Sequence, residues 1–138
     1  MIVLDASVLI AHLNPHDAHH KAATGLLLEA EPGSLLVHPL TLAEVLVGGV
    51  RIGRGVAMRD DLSAAGITVS PGDVDEPLRL AELRATTRLK MPDCCVLDVA
   101  LHHHANLATF DKGLHDAARQ HNVTVLPMRT RTDGSAPT

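Results

Sequence analysis

Four acidic residues occupy positions from which the fold could bring their carboxylates together. Asp5 directly follows the apolar run Ile2-Val3-Leu4, and Asp111 follows another apolar run near the carboxyl end of the chain. Glu44 lies within a helical segment, and Asp93 stands where a further helix begins. Carboxylates held close together raise one another's pKa unless a cation neutralises them. An all-oxygen ligand set of this kind suits Mg²⁺ or Mn²⁺.

Each acid also has an ordinary structural interpretation. Asp5 and Asp93 could cap helices by accepting hydrogen bonds from backbone N–H groups. Glu44 stands three residues after Thr41, which is the spacing of a capping box. Asp111 could simply open the last helix. These alternatives remain open for each residue taken alone, whereas the occurrence of all four favours a shared site.

Short apolar runs predict the strands that would carry these acids. Helical segments separate the runs, and strands joined by crossovers of that length pair in parallel. The carboxyl ends of parallel strands lie at one edge of the sheet, where ligands usually bind. The sequence therefore predicts an α/β fold with a central parallel sheet of four to five strands between helices. The predicted strands span residues 2–4, 34–38, 67–70, 106–109 and 123–126.

Prolines and glycines mark the limits of the predicted helices. Asn14-Pro15 ends the first helix, and Pro32-Gly33 ends the second. The third begins with Thr41 as its cap and is interrupted at Gly48-Gly49. Pro92-Asp93 opens a helix that ends within the histidine run. The first two predicted helices thus span residues 6–13 and 16–30, and the remaining ones span residues 51–65, 73–89 and 112–121.

The length and composition indicate one globular domain. The 138 residues suffice for a single hydrophobic core, which we expect to span residues 1–128. Residues 129–138 are rich in Thr, Gly, Ser and Pro and are predicted to be disordered. Phe110 is the one aromatic residue among Phe, Trp and Tyr, which argues against nucleic-acid binding by aromatic stacking platforms.

The net charge of −4 excludes a strongly basic nucleic-acid-binding surface. It does not exclude a polyanionic substrate, because four of the acids would be gathered in one metal site. Cys94 and Cys95 are adjacent, are not expected to bridge each other, and are predicted to pack in the core. Together with the lack of a signal peptide and of a long apolar run, they predict a cytoplasmic protein that does not contact membranes.

Four motifs of this sequence carry the predicted acids. They are Ile2-Val3-Leu4-Asp5-Ala6-Ser7, Thr41-Leu42-Ala43-Glu44-Val45, Met91-Pro92-Asp93-Cys94-Cys95-Val96-Leu97 and Leu107-Ala108-Thr109-Phe110-Asp111. Their order and spacing resemble those of PIN-domain ribonucleases, and most closely the VapC toxins of type II toxin–antitoxin modules, up to about Pro127. The resemblance implies a three-layer α/β/α PIN-like fold, a metal-dependent endoribonuclease, a VapB-type antitoxin and a homodimer.

The resemblance also implies roles for individual residues. Ser7 matches the small polar residue that follows the first acid. Thr109 matches the hydroxyl residue that precedes the last acid, where it could orient a carboxylate or a metal-bound water. The acids would hold one or two Mg²⁺ or Mn²⁺ ions and support in-line attack of water on a phosphodiester of RNA, such as tRNA or rRNA. The family's acidic quartet corresponds to Asp5, Glu44, Asp93 and Asp111.

Three arginines follow the helix that carries Glu44. Arg51, Arg54 and Arg59 cluster among glycines and could hold RNA phosphates beside the acidic site. The alternative is an ordinary solvated helix face. The histidines at positions 16 and 20 and at 102–104 lack a zinc-site pattern and are interpreted as solvated helix ends.

Asp98 is excluded from the predicted site. It stands five residues after Asp93, which corresponds to about 140° around a helix, so the two should not share a face. An aspartyl-phosphate phosphatase would need a carboxylate where Ser7 stands, and a phospho-receiver domain would need an Asp where the second strand ends in His38-Pro39. The remaining alternative is a catalytically silent PIN-fold protein that acts through a protein or RNA partner.

Overall fold

A computed structural model describes residues 1–126 and contains one parallel sheet. The strands are β1 (Ile2–Leu4), β2 (Leu35–Val37), β3 (Ile67–Val69) and β4 (Asn106–Ala108). Their order in the sheet is β3-β2-β1-β4, so β1 lies inside the sheet between β2 and β4. Leu4 at the end of β1 is in register with Ala108 at the end of β4. The residues that follow these two strands therefore emerge side by side.

Helices cover both faces of the sheet and give a three-layer α/β/α architecture, which confirms the predicted fold class. None of the helices in the described part of the chain is both long and apolar enough to cross a membrane. In chain order the helices are α1 (Ala6–Leu13), α2 (His20–Glu29), α3 (Pro39–Arg51), α4 (Gly55–Ala64), α5 (Glu76–Thr86), α6 (Met91–His102) and α7 (Lys112–Gln120).

The sheet separates two hydrophobic cores. Successive side chains of a strand point to opposite faces, so Val3 belongs to one core and Leu4 to the other. The core around Val3 is completed by α6, in which residues 94–100 are all buried. Because α6 is packed on every side along these residues, its first turn is held in a fixed position at the edge of the sheet.

The limits of α3 differ from the prediction. The helix begins at Pro39 rather than after Thr41, because the His38 ring accepts a hydrogen bond from the Leu40 N–H at 3.0 Å and proline suits the first turn. Thr41 is buried inside the helix. The predicted interruption at Gly48-Gly49 is also wrong. A Cβ at Gly49 would lie 3.0 Å from the Met58 side chain, so the glycine allows α4 to pack closely on α3.

The predicted fifth strand is reduced to a single parallel bridge between Leu107 and Val125. Several helices are also shorter than predicted: α2 begins at His20 after a turn, α4 begins at Gly55 and α5 spans Glu76–Thr86. The predicted disordered tail, residues 129–138, lies outside the described residues. The predicted domain boundary at residue 128 lies there as well.

Candidate active site

Asp5 is buried at the carboxyl end of β1, with 6% of its surface exposed. Its Oδ1 accepts a hydrogen bond from the Ala6 N–H at 2.7 Å, which caps α1. Its Oδ2 accepts hydrogen bonds from the hydroxyls of Ser7 at 2.8 Å and Thr109 at 2.6 Å. Three donors therefore fix the orientation of this carboxylate, and the capping and site interpretations of Asp5 are compatible.

Thr109 connects the ends of β1 and β4. Besides donating to Asp5, its hydroxyl accepts a hydrogen bond from the Asp111 N–H at 2.9 Å. Asp111 Oδ2 in turn accepts from the Leu114 N–H at 2.8 Å and caps α7. The hydroxyl of Ser7 accepts from the backbone N–H of Phe110 at 3.0 Å. The two hydroxyl residues thus tie Asp5 to the segment that carries Asp111.

Asp93 lies in the first turn of α6 and is half-buried. Burial, followed by the negative charges of Asp5, Asp111 and Glu44, raises its pKa to about 6, while Lys90 acts in the opposite direction. Asp93 is therefore close enough to the other three acids of the predicted quartet to be affected by their charges. Glu44, on the surface of α3, and Asp111 are the exposed members of the quartet.

The donor set fits a hard divalent cation, since it consists of carboxylates that repel one another. Within residues 1–126, no three His, Cys, Asp or Glu side chains are arranged so that they could hold a metal ion as they stand. Asp5 and Asp111 use oxygens for helix caps, and Glu44 extends from an exposed helix face. The site has the ligand chemistry of a magnesium centre without its closed geometry.

Comparisons with known proteins identify this architecture. The family model of the PIN domain matches residues 2–120. The chain belongs to the PIN-domain family. None of the curated protein sequences compared with this PIN domain matches it.

Among solved structures, the PIN domain is similar to the toxin VapC20 of Mycobacterium tuberculosis, described as cleaving the sarcin-ricin loop. The identity is 20%, the match covers 85% of this chain and 95% of that one, and the TM-score is 0.70. A toxin–antitoxin complex from Klebsiella pneumoniae is 28% identical over 82% and 89% of the two chains, with a TM-score of 0.66. VapBC-1 from nontypeable Haemophilus influenzae is 17% identical over 93% and 98%, with a TM-score of 0.68.

His38 is a residue of the PIN domain's sheet edge that the sequence analysis did not assign to the site. It is 8% exposed at the carboxyl end of β2. Because Nδ1 accepts from the Leu40 N–H, the proton of the neutral ring lies on Nε2, which donates to Glu76 Oε2 at 2.7 Å. The position of His38 immediately after a buried strand and before a helix-opening proline was the sequence feature that could have indicated a place at the sheet edge. Its partner Glu76 is 38 residues away, and no sequence pattern connects the two.

Both cysteines of the PIN domain are buried. Burial, followed by the negative charge of Glu76, raises the pKa of Cys95 to about 11. Burial also raises the pKa of Cys94. The thiols therefore stay protonated at neutral pH, which agrees with their predicted place in the core and argues against a nucleophilic role.

Asp98 faces α5 rather than the acidic quartet. Its carboxylate is 4% exposed and accepts two hydrogen bonds from Arg79, at 2.9 Å from Nε and 3.1 Å from Nη2. The same guanidinium binds Asp73 at 2.8 and 2.9 Å. The PIN domain thus uses Asp98 in an ion pair between α5 and α6, in keeping with its exclusion from the predicted site.

The arginines predicted to bind RNA are exposed on α3 and α4. Arg51 ends α3, about 10 Å along the helix from Glu44. Arg54 immediately precedes α4 without a capping hydrogen bond from its side chain, and Arg59 forms an exposed ion pair with Asp60 at 3.1 Å. The arginines therefore lie on the α3–α4 hairpin of the PIN domain, away from the helix turn that carries Glu44.

Proposed function

We propose that this PIN-domain protein is a metal-dependent endoribonuclease and the toxin of a VapBC-type toxin–antitoxin module. The observation that carries the proposal is the convergence of four acids at the carboxyl edge of a PIN-domain sheet, where Thr109 joins Asp5 to the segment of Asp111 and where Asp5, Asp111 and Glu44 raise the pKa of Asp93. Structures of similar fold are named as VapC toxins or as toxin–antitoxin complexes. The proposed catalytic and metal-binding residues are Asp5, Glu44, Asp93 and Asp111.

The chain's own residues have distinct tasks in this proposal. Asp5 presents a carboxylate whose direction Ser7 and Thr109 fix before any ligand arrives. Burial and the other three carboxylates raise the pKa of Asp93 to about 6, and a bound cation would favour its ionised form. One or two Mg²⁺ or Mn²⁺ ions held by the quartet would lower the pKa of water and neutralise charge on the phosphodiester.

The proposal includes partners. We assign the protein an RNA substrate such as tRNA or rRNA, a VapB-type antitoxin, a homodimeric assembly and a cytoplasmic setting. The α3–α4 hairpin exposes several large apolar side chains that suit contact with another protein. These side chains are Val47, Val50, Ile52 and Val56.

Cleavage of total cellular RNA by the purified protein tests the proposal. We expect discrete fragments in Mg²⁺ or Mn²⁺, and none with EDTA or with the Asp5→Asn variant. Circular dichroism of that variant checks that the fold is retained. Absence of cleavage by the unsubstituted protein, although calorimetry shows a bound metal ion, would contradict the nuclease and favour a silent binding protein.

A further inference from the structure

A groove of about 700 Å³ opens beside the acidic site, with Asp93 in its wall. One side is the segment that joins α5 to α6, and the other is the surface of α7. The volume lies in the range of ligand-binding clefts, roughly 300 to 1,000 Å³. The polar part of the lining consists of Thr86, Thr87, Arg88, Lys90, Asp93, Asp116, Gln120 and His121.

Arg88 and Lys90 are exposed cations on one wall of this groove. Within residues 1–126 neither side chain forms a hydrogen bond or an ion pair. By contrast, Lys112 near the opposite wall is bound to Asp116 at 2.7 Å. The charge of Lys90 already acts on the neighbouring carboxylate of Asp93. An anion that enters the groove next to Asp93 would meet both Arg88 and Lys90.

The residues before and after Arg88, Thr87 and Leu89, are both anchored to the domain. Thr87 Oγ1 donates to the Leu83 carbonyl at 2.7 Å and accepts from the Leu89 N–H at 3.2 Å. Leu89 is 8% exposed and packs in the core. The backbone at Arg88 is thus positioned before a ligand binds, which reduces the entropy lost on binding.

The wall formed by α7 offers hydrogen-bonding groups. His121 Nδ1 lies 2.8 Å from the Ala117 carbonyl oxygen, which can only accept, so Nδ1 carries a proton. In the neutral ring Nε2 is then left as an acceptor. Gln120, beside it in the lining, presents both a donor and an acceptor. The two walls together offer cations for phosphates and polar groups for ribose or base edges.

We propose that this groove binds the RNA strand next to the phosphodiester that is cleaved, with Arg88 and Lys90 contacting its phosphates. The inference rests on the proposed nuclease function and extends it to a substrate-binding surface distinct from Arg51, Arg54 and Arg59. Phosphate contacts set the register of a strand, and polar contacts to bases add sequence preference. Binding in this groove would place the strand directly alongside Asp93.

The test uses the full chain carrying Asp5→Asn, which keeps the RNA intact, and a fluorescent single-stranded RNA that spans the mapped cut site. Fluorescence anisotropy at several salt concentrations gives Kd and its salt dependence. We expect Arg88→Ala to raise Kd roughly tenfold and to reduce the slope of log K against log salt by about 0.7, the value for one phosphate contact on a single strand. Lys90→Ala should act similarly, and Arg88→Glu more strongly.

Lys21→Ala is the matched control, since Lys21 is an exposed cation on α2 outside the groove lining. It removes the same charge and should leave Kd within about twofold, because distant exposed charges are screened by salt. Thermal unfolding checks that every variant is folded. Photo-crosslinking of RNA that carries 4-thiouridine beside the cut site should label peptides from residues 85–90 or 112–121.

The outcomes separate the two proposals. If the unsubstituted protein cleaves RNA but Arg88→Ala and Lys90→Ala match Lys21→Ala in Kd and salt slope, the groove assignment is overturned and the nuclease stands. Crosslinks confined to α3 and α4 would likewise overturn the groove assignment without contradicting the nuclease. If the unsubstituted protein neither binds nor cleaves RNA, the nuclease proposal fails and the groove proposal fails with it.

Discussion

The hydroxyl of Thr109 donates to Asp5 Oδ2 at 2.6 Å across 104 residues of sequence, and it also accepts from the Asp111 N–H at 2.9 Å. One side chain therefore fixes the relative placement of two acids of the proposed quartet. Both partners would lose this constraint if the hydroxyl were removed.

Thr109→Val removes the hydroxyl with little change in side-chain shape. We expect metal affinity or the cleavage rate to fall about 10- to 100-fold, as for other residues that orient ligands. Thr109→Ser keeps the hydroxyl and should retain most activity. Calorimetry with Mn²⁺ and single-turnover cleavage provide the measurements. If Val and Ser variants had equal affinity and rate, Thr109 would have no positioning role.

The raised pKa of Asp93 predicts a pH-dependent stability without metal. The folded protein holds this proton more tightly than the unfolded chain. The contribution of Asp93 to stability is therefore fully present below the ordinary pKa of 3.8 and is lost as pH rises through about 6. Asp93→Asn should then be more stable than the unsubstituted protein at pH 7 in EDTA. We expect roughly 1 to 2 kcal/mol after allowance for solvent screening at this half-buried group.

Urea unfolding at pH 7 and pH 4 measures this difference, which should shrink at the lower pH. Added Mn²⁺ should stabilise the unsubstituted protein and have less effect on Asp93→Asn. A variant less stable than the unsubstituted protein at pH 7 in EDTA would show that Asp93 carries no unfavourable charge there.

The ion pair between Arg79 and Asp98 predicts a loss of stability in Arg79→Met. The substitution leaves a carboxylate that is 4% exposed without its partner, so the thermal midpoint should fall by several degrees. Adding Asp98→Leu in the same chain should restore part of the loss, because no charge then remains buried. A double variant no more stable than Arg79→Met would contradict this account.

Arg79 also holds the pKa of Asp73 at about 2, mainly through its hydrogen bonds. The depressed pKa contributes stability that is present above about pH 4 and is lost as pH falls towards 2. Acid unfolding of Arg79→Met should consequently show a weaker dependence on pH in this window. Nuclear magnetic resonance titration of the Asp73 side chain would report the pKa directly.

Replacement of Arg51, Arg54 and Arg59 by alanine tests the RNA-binding role predicted from the sequence. If all three contact phosphates, the slope of log K against log salt should decrease by about 2. Arg59 is expected to contribute least, because it already pairs with Asp60. Unchanged binding and slope would assign these arginines to a solvated helix face.

Local sequence patterns predicted the parts of the fold that depend on local physics. Apolar runs predicted β1 and β2 because a parallel strand that is buried on both faces consists almost entirely of apolar residues. Asp5 follows β1 as expected. The predicted start of α3 was wrong because histidine is an uncommon residue at the cap of a helix. Gly49 was taken as a helix break, although its role depends on Met58 from the next helix.

The remaining features depend on contacts between distant segments. Arg79 reaches Asp98 across 19 residues, and His38 reaches Glu76 across 38. The groove beside Asp93 exists only because α7 packs near the segment between α5 and α6. No periodicity or motif encodes such a cavity, so Arg88 and Lys90 could not be distinguished from other surface cations by sequence alone.

The burial of α6 has a consequence for motion. Residues 94–100 are enclosed by the core, so we expect amide hydrogens there to be among the slowest to exchange in the domain. Asp93 lies in the first turn of that helix, and Asp5 and Asp111 are tied together through Thr109. Glu44 projects from an exposed face of α3, a helix with glycines at positions 48 and 49. Three acids thus belong to a rigid body, and assembly of the quartet depends on where α3 holds the fourth.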